Sequence, residues 1–187
     1  MIDLLRQLIR ESVSRTKIYV LVGPPGVGKG WWVENNASDA YIISRDKIVD
    51  DVRTPRGLKY DDMFGPKGRA LSKEIDAKFK ERVAGAVASG KDIVVDMTNM
   101  GVSSRRNALR AISGREEDYE KIAVFFDYRG MEDLVQRSVD KRAQMLQDKT
   151  LSPEIVKGMI NRFEMPTRAE GFDDIIIVDP TETLHRP

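Results

Sequence analysis

The chain has 187 residues, 41% of them hydrophobic and 33% charged, with a formal net charge of +1 and no cysteine. That composition suits one globular domain with a sizeable core; it excludes disulfides and thiolate metal sites and supplies no global attraction to a polyanion. No apolar run reaches membrane-spanning length and no signal-peptide pattern opens the sequence, so a cytoplasmic protein without a membrane partner is expected.

Residues 1–15 place Ile2, Leu5, Leu8, Ile9 and Val13 at near-helical spacing among arginines. They predict an amphipathic helix that packs on a sheet edge or forms a homo-oligomer contact. A short β-favouring run follows at 18–22, and then GPPGVGKG at 23–30. A buried strand, a glycine-rich turn and a following helix make the P-loop arrangement. Gly23, Gly26 and Gly28 let the backbone curl so that successive N–H groups, with Pro24, Pro25 and Val27 between them, converge on a phosphate. The helix N-terminus adds positive potential, and Lys29 adds a full charge beside the outer phosphates. Gly30 and Trp31 complete the expected nucleotide-binding set. The motif asks for a Ser or Thr hydroxyl on Mg²⁺ at position 30, and Gly30 offers none.

Residues 41–43 predict a second strand, with Ser44, Arg45, Asp46 and Lys47 just beyond its carboxyl end, where ligands sit in open α/β sheets. Asp46 is placed either to accept a proton from an attacking hydroxyl or to serve as a first-turn acid of the next helix. The Gly-, Pro- and charge-rich stretch 53–69 predicts an irregular surface segment. A helix is expected over 70–89, ended by Gly90. Residues 92–96 predict a strand buried on both faces, and Asp96 at its end occupies the place of the acid that holds Mg²⁺ or its water shell. Thr98 and Asn99 follow within acceptor reach. A helix over 103–112 carries Arg105 and Arg106 on what reads as a solvated face, though either could touch phosphates.

A fourth strand is predicted at 121–126 and a helix at 133–147. Arg137 and Lys141 lie four positions apart on that helix and can close together on one polyanion, with Arg142 beside them. Ser152 and Pro153 mark the start of a helix over 153–164, so the segment 131–164 reads as a helical lid. A last strand is predicted at 175–178, and His185 lies in a Pro-flanked tail with no catalytic setting. The β-α alternation gives one α/β domain over 1–187: a three-layer α/β/α sandwich around a five-stranded, mostly parallel sheet.

The ordered set GPPGVGKG at 23–30, ISRDK at 43–47, VVDMTN at 94–99, LVQRSVDKR at 134–142 and FEMPTRAEGFD at 163–173 resembles the kinase domain of phage-type 5′-polynucleotide kinases and the P-loop kinases of that branch. The resemblance runs from residue 17 to 178. It implies ATP and Mg²⁺ as cofactors, Lys29 on the donor phosphates, and Asp46 as the general base that activates the acceptor hydroxyl. It also implies Arg137 with Lys141 or Arg142 as the phosphate clamp. The implied reaction is transfer of the ATP γ-phosphate to the 5′-hydroxyl end of DNA or RNA, as in nucleic-acid repair. Three positions depart from the pattern. Gly30 and Trp31 replace two P-loop hydroxyls, Val49 replaces an arginine that grips the acceptor phosphate, and the lid arginine becomes Lys141 or shifts by one to Arg142. Arg45 or Arg53 would have to take over the grip on the acceptor. Two alternatives stand beside this reading: a kinase of a small metabolite, nucleoside or antibiotic, and a nucleotide-binding protein without catalysis.

Overall fold

The computed structural model describes residues 15–146 and 151–181. Predicted features at 1–14 and at His185 lie outside them. Five strands form one sheet in the order β2-β3-β1-β4-β5, and every neighbouring pair is parallel. They are β1 (Thr16–Val22), β2 (Tyr41–Ser44), β3 (Ile93–Asp96), β4 (Tyr119–Phe126) and β5 (Asp174–Val178). Parallel pairing requires crossovers, which the helices supply. They are α1 (Lys29–Asn36), α2 (Arg45–Arg53), α3 (Pro66–Ser89), α4 (Val102–Leu109), α5 (Glu132–Leu146) and α6 (Pro153–Ile160).

The side-chain period of the central strand makes two cores. Ile18 and Val20 of β1 face a cluster with Ile48, Val49 and Val52 of α2, Ile75 of α3 and Ala108 of α4. Tyr19 and Leu21, one residue out of phase, face Trp32 and Val33 of α1, Val135 and Val139 of α5 and Val156 of α6. Strands covered on both faces carry near-continuous apolar runs, as β1 and β4 do. The expected three-layer sandwich is observed, and it is the P-loop kinase fold. Among the described residues no helix is long and apolar enough to cross a membrane.

Two expectations need correction. The 53–69 stretch is only partly irregular. It holds short 3₁₀ turns at Thr54–Arg56 and Asp61–Phe64, and α3 already starts at Pro66, where proline's fixed φ and missing N–H suit a first helical turn. Arg105 is not on a solvated face. It is fully buried and paired with Glu170. Arg106 is exposed.

Candidate active site

The carboxyl ends of β1, β2 and β3 open onto one cavity of about 700 Å³. Its floor on the β1 side is the loop between β1 and α1. Gly26 and Gly28 have φ of +77° and +97°, in the left-handed region where a Cβ is strained, so the turn depends on glycine at both positions. Gly23 N donates to Thr98 O at 3.0 Å, tying the start of the loop to the chain leaving β3. The Lys29 ammonium donates to Gly23 O at 3.0 Å and Pro24 O at 2.7 Å, folding back across the loop it serves. Pro25, Gly26, Gly28, Lys29 and Gly30 line the cavity. Gly23, Pro24 and Val27 are buried in the loop.

The opposite side is built by the start of α2 and the chain after it. Ser44 ends β2 directly beside Asp96 of β3 in the parallel register, and both line the cavity with Arg45, Asp46 and Lys47. Asp46 stands in the first turn of α2, so the base and first-turn-acid readings describe one and the same placement. Its Oδ1 accepts from the Tyr60 hydroxyl at 2.9 Å. The far wall is mostly apolar, with Val49, Met63, Ile75, Met97, Leu151 and Met159 interrupted by Ser72.

The structure therefore brings Lys29, Asp46, Asp96, Arg45 and Thr98 to one chamber. Other expected site residues lie elsewhere. Trp31 is half-buried and absent from the cavity lining, while Trp32 is core, edge-on to Tyr19 at 5.4 Å. Arg53 is 6% exposed and points into the protein. Its Nε bonds Asp50 Oδ1 at 2.7 Å, its Nη1 bonds Leu58 O at 3.2 Å, and its guanidinium lies 5.7 Å from the Tyr60 ring centre. Asn99 is 1% exposed and donates to Leu21 O at 2.8 Å, so it braces β1 instead of facing an acceptor. Its own Oδ1 is buried without a hydrogen-bond partner.

Helix α5 meets the loop by a face other than the expected one. Val135 and Val139 are buried, which fixes the helix rotation and turns Arg137 and Lys141 to solvent. Ser138 and Val139 line the cavity instead, and the Ser138 hydroxyl donates to Gly26 O at 2.8 Å. Of Arg142 only its place in α5 is described.

Among the described residues no group of three or more His, Cys, Asp or Glu could hold a metal ion. Asp96 beside the loop fits Mg²⁺, which is commonly bound by one or two carboxylates together with substrate phosphates and water. Two site residues escaped the sequence reading. Tyr60 was hidden in a stretch read as irregular, and Ser138 was masked by the charges around it.

Solved structures share the fold. A candidate kinase from Chloroflexus aurantiacus superposes with a TM-score of 0.65 at 12% identity, covering 94% of this chain and 91% of that one. A gluconokinase from Sinorhizobium meliloti gives 0.53 at 19% identity, covering 94% and 86%. A chain of the PezAT chromosomal toxin-antitoxin system of Streptococcus pneumoniae gives 0.59 at 15% identity, covering 96% and 74%. At such identities the likeness establishes the fold. The family model described as AAA domain matches residues 18–166, from β1 to just beyond α6, and the chain belongs to that AAA domain family.

Proposed function

We propose that the protein is a kinase that transfers the γ-phosphate of ATP to the hydroxyl of a small acceptor. One observation carries the reading: Lys29 with its glycine loop and Asp46 line the same cavity from opposite sides. The loop N–H groups, the start of α1 and Lys29 hold the donor phosphates. Asp46 takes the acceptor's proton as the hydroxyl oxygen bonds to the γ-phosphorus. The bond to the β-phosphate oxygen breaks, and ADP and a phosphomonoester leave. Asp96 is the residue that would hold Mg²⁺, which supplies charge neutralisation at the phosphates. Arg137, Lys141 and Arg142 on α5 are assigned the phosphate clamp, a role that requires the helix to turn from its present seat.

The apolar wall of Val49, Met63, Ile75 and Met97 favours a compact acceptor with an apolar face. A 5′-hydroxyl end of DNA or RNA is the second reading, favoured by Arg45 and Lys47 on either side of Asp46. Labelled ATP offered to nucleosides, sugars and 5′-hydroxyl oligonucleotides separates the two. Asp46→Asn is expected to abolish transfer while ATP binding persists; transfer at the wild-type rate by that variant would remove Asp46 from the reaction. ATP binding in EDTA without turnover on any acceptor would leave a nucleotide-binding protein only.

A further inference from the structure

Asp46 is held from behind. Its side chain is exposed to the cavity at the start of α2, where a free carboxylate has several backbone N–H groups within reach. The bond from the Tyr60 hydroxyl, 2.9 Å to Oδ1, engages one oxygen of a carboxylate that lines the chamber. Tyr60 is itself immobilised. It is 8% exposed, and the Arg53 guanidinium lies 5.7 Å from its ring centre. Arg53 is in turn anchored by Asp50 on its own helix and by the Leu58 carbonyl. The 3₁₀ turn that follows adds a second anchor, since Met63 N donates to Tyr60 O at 3.0 Å. The chain between α2 and α3 thus loops out and returns to set one phenol against one carboxylate.

We propose that Tyr60 is a positioning residue for phosphoryl transfer. It holds Asp46 in the orientation that presents Oδ2 to the acceptor hydroxyl, and the buried Arg53 holds Tyr60. The inference rests on the proposed role of Asp46. A reacting group displaced by about 1 Å loses on the order of 100-fold in rate, whereas binding of a nucleotide elsewhere in the chamber is unaffected. Tyr60→Phe is the clean variant, because it keeps the ring, its packing and its contact with Arg53 and removes only the hydroxyl.

Steady-state transfer from labelled ATP, with nucleotide affinity measured separately by calorimetry, tests the proposal. The expected result for Tyr60→Phe is a fall in kcat of about 10- to 100-fold with the Kd for ATP within twofold of wild type. A Tyr60→Phe protein with wild-type kcat, alongside an inactive Asp46→Asn protein, overturns the role of Tyr60 and leaves the proposed function standing. A fully active Asp46→Asn protein overturns the proposed function first. Equal losses in kcat and nucleotide affinity for Tyr60→Phe would mark a general structural defect and also overturn the proposal.

Discussion

Arg105 and Glu170, 65 positions apart, meet in a two-pronged ion pair, with Nε 2.7 Å from Oε2 and Nη2 3.0 Å from Oε1. Arg105 is fully buried and the Glu170 side chain is 4% exposed. The remaining nitrogen, Nη1, donates to Asn99 O at 3.1 Å and Met100 O at 3.2 Å. The same stretch of chain touches β1 and the phosphate loop, through Asn99 to Leu21 and Thr98 to Gly23. The pair is a brace behind the site, reaching the loop through the tail of β3.

Breaking that brace from either end leaves an uncompensated charge or an unfilled donor set in the interior. Arg105→Ala and Glu170→Gln are each expected to lower stability by about 3–5 kcal/mol. Arg105→Lys should recover little, because an ammonium cannot reproduce the planar fork to two carboxylate oxygens. Urea unfolding followed by tryptophan fluorescence measures the loss; a shift worth less than about 1 kcal/mol would show that the core relaxes around the missing partner.

The same pair makes the fold acid-sensitive. Burial alone would raise the Glu170 pKa, but the Arg105 hydrogen bond, the Thr167 backbone N–H and the arginine's charge together bring it below the ordinary 4.5. A carboxyl depressed in the folded state contributes its full stability above the unfolded value and loses it as pH falls through the folded one. The folded protein should therefore weaken below about pH 4.5, and Glu170→Gln should flatten that part of the curve. Unfolding midpoints measured from pH 7 down to pH 3 decide it. Parallel curves for the two proteins would place the acid sensitivity elsewhere.

The strand–loop–helix unit around Lys29 was legible because each physical requirement falls on adjacent residues: an apolar run, glycines at the turn, a lysine at the helix start. The order of elements was legible for the same reason, since β and α periods alternate cleanly along the chain. Arg105 and Arg53 were not. Each lies in a charged stretch, and only the tertiary partner, Glu170 for one and Tyr60 for the other, turns a solvated-looking arginine inward. Gly68 misled in the opposite direction. It reads as loop chemistry but sits in the first turn of α3, where close contact with the preceding turn excludes a side chain. The rotation of α5 was hidden because Val135 and Val139, not the neighbouring charges, decide which face meets the loop.

The Lys29 ammonium donates to two backbone carbonyls of its own loop, Gly23 O and Pro24 O. Neutral carbonyls hold an ammonium less firmly than phosphate oxygens do, so a bound nucleotide would draw these bonds to itself. Lys29→Ala is expected to weaken ATP binding at least 10-fold, a loss of about 1.4 kcal/mol or more. Calorimetric titration measures it, and an unchanged Kd would place the nucleotide away from the loop.

Position 30 tests what the missing hydroxyl does. A Cβ built on Gly30 meets nothing within 4 Å, and the residue is exposed on the first turn of α1. Gly30→Ser should therefore fold normally and gain a few tenths of a kcal/mol from the better helix former. With a hydroxyl restored beside the phosphates, the Mg²⁺ concentration for half-maximal nucleotide binding should fall. Titration of Mg²⁺ against fixed ATP reads this directly; an unchanged midpoint would mean that a different oxygen already fills the position.

Gly68 separates acceptor binding from nucleotide binding. A Cβ there would lie 1.9 Å from Met63 O and 2.4 Å from Met63 C, backbone atoms that cannot rotate aside. Gly68→Ala must push the Asp61–Phe64 turn outward, and with it Met63 of the apolar wall and, through the Met63 N to Tyr60 O bond, the anchor of Tyr60. Overpacking of this kind costs about 1–3 kcal/mol of stability. The phosphate loop lies across the chamber on separate elements, so the variant should show a raised acceptor KM and a lowered kcat with an ATP Kd close to wild type. Loss of nucleotide affinity in step with acceptor affinity would mean that the two sides of the cavity do not act independently, and that the wall beneath α3 is part of the donor site.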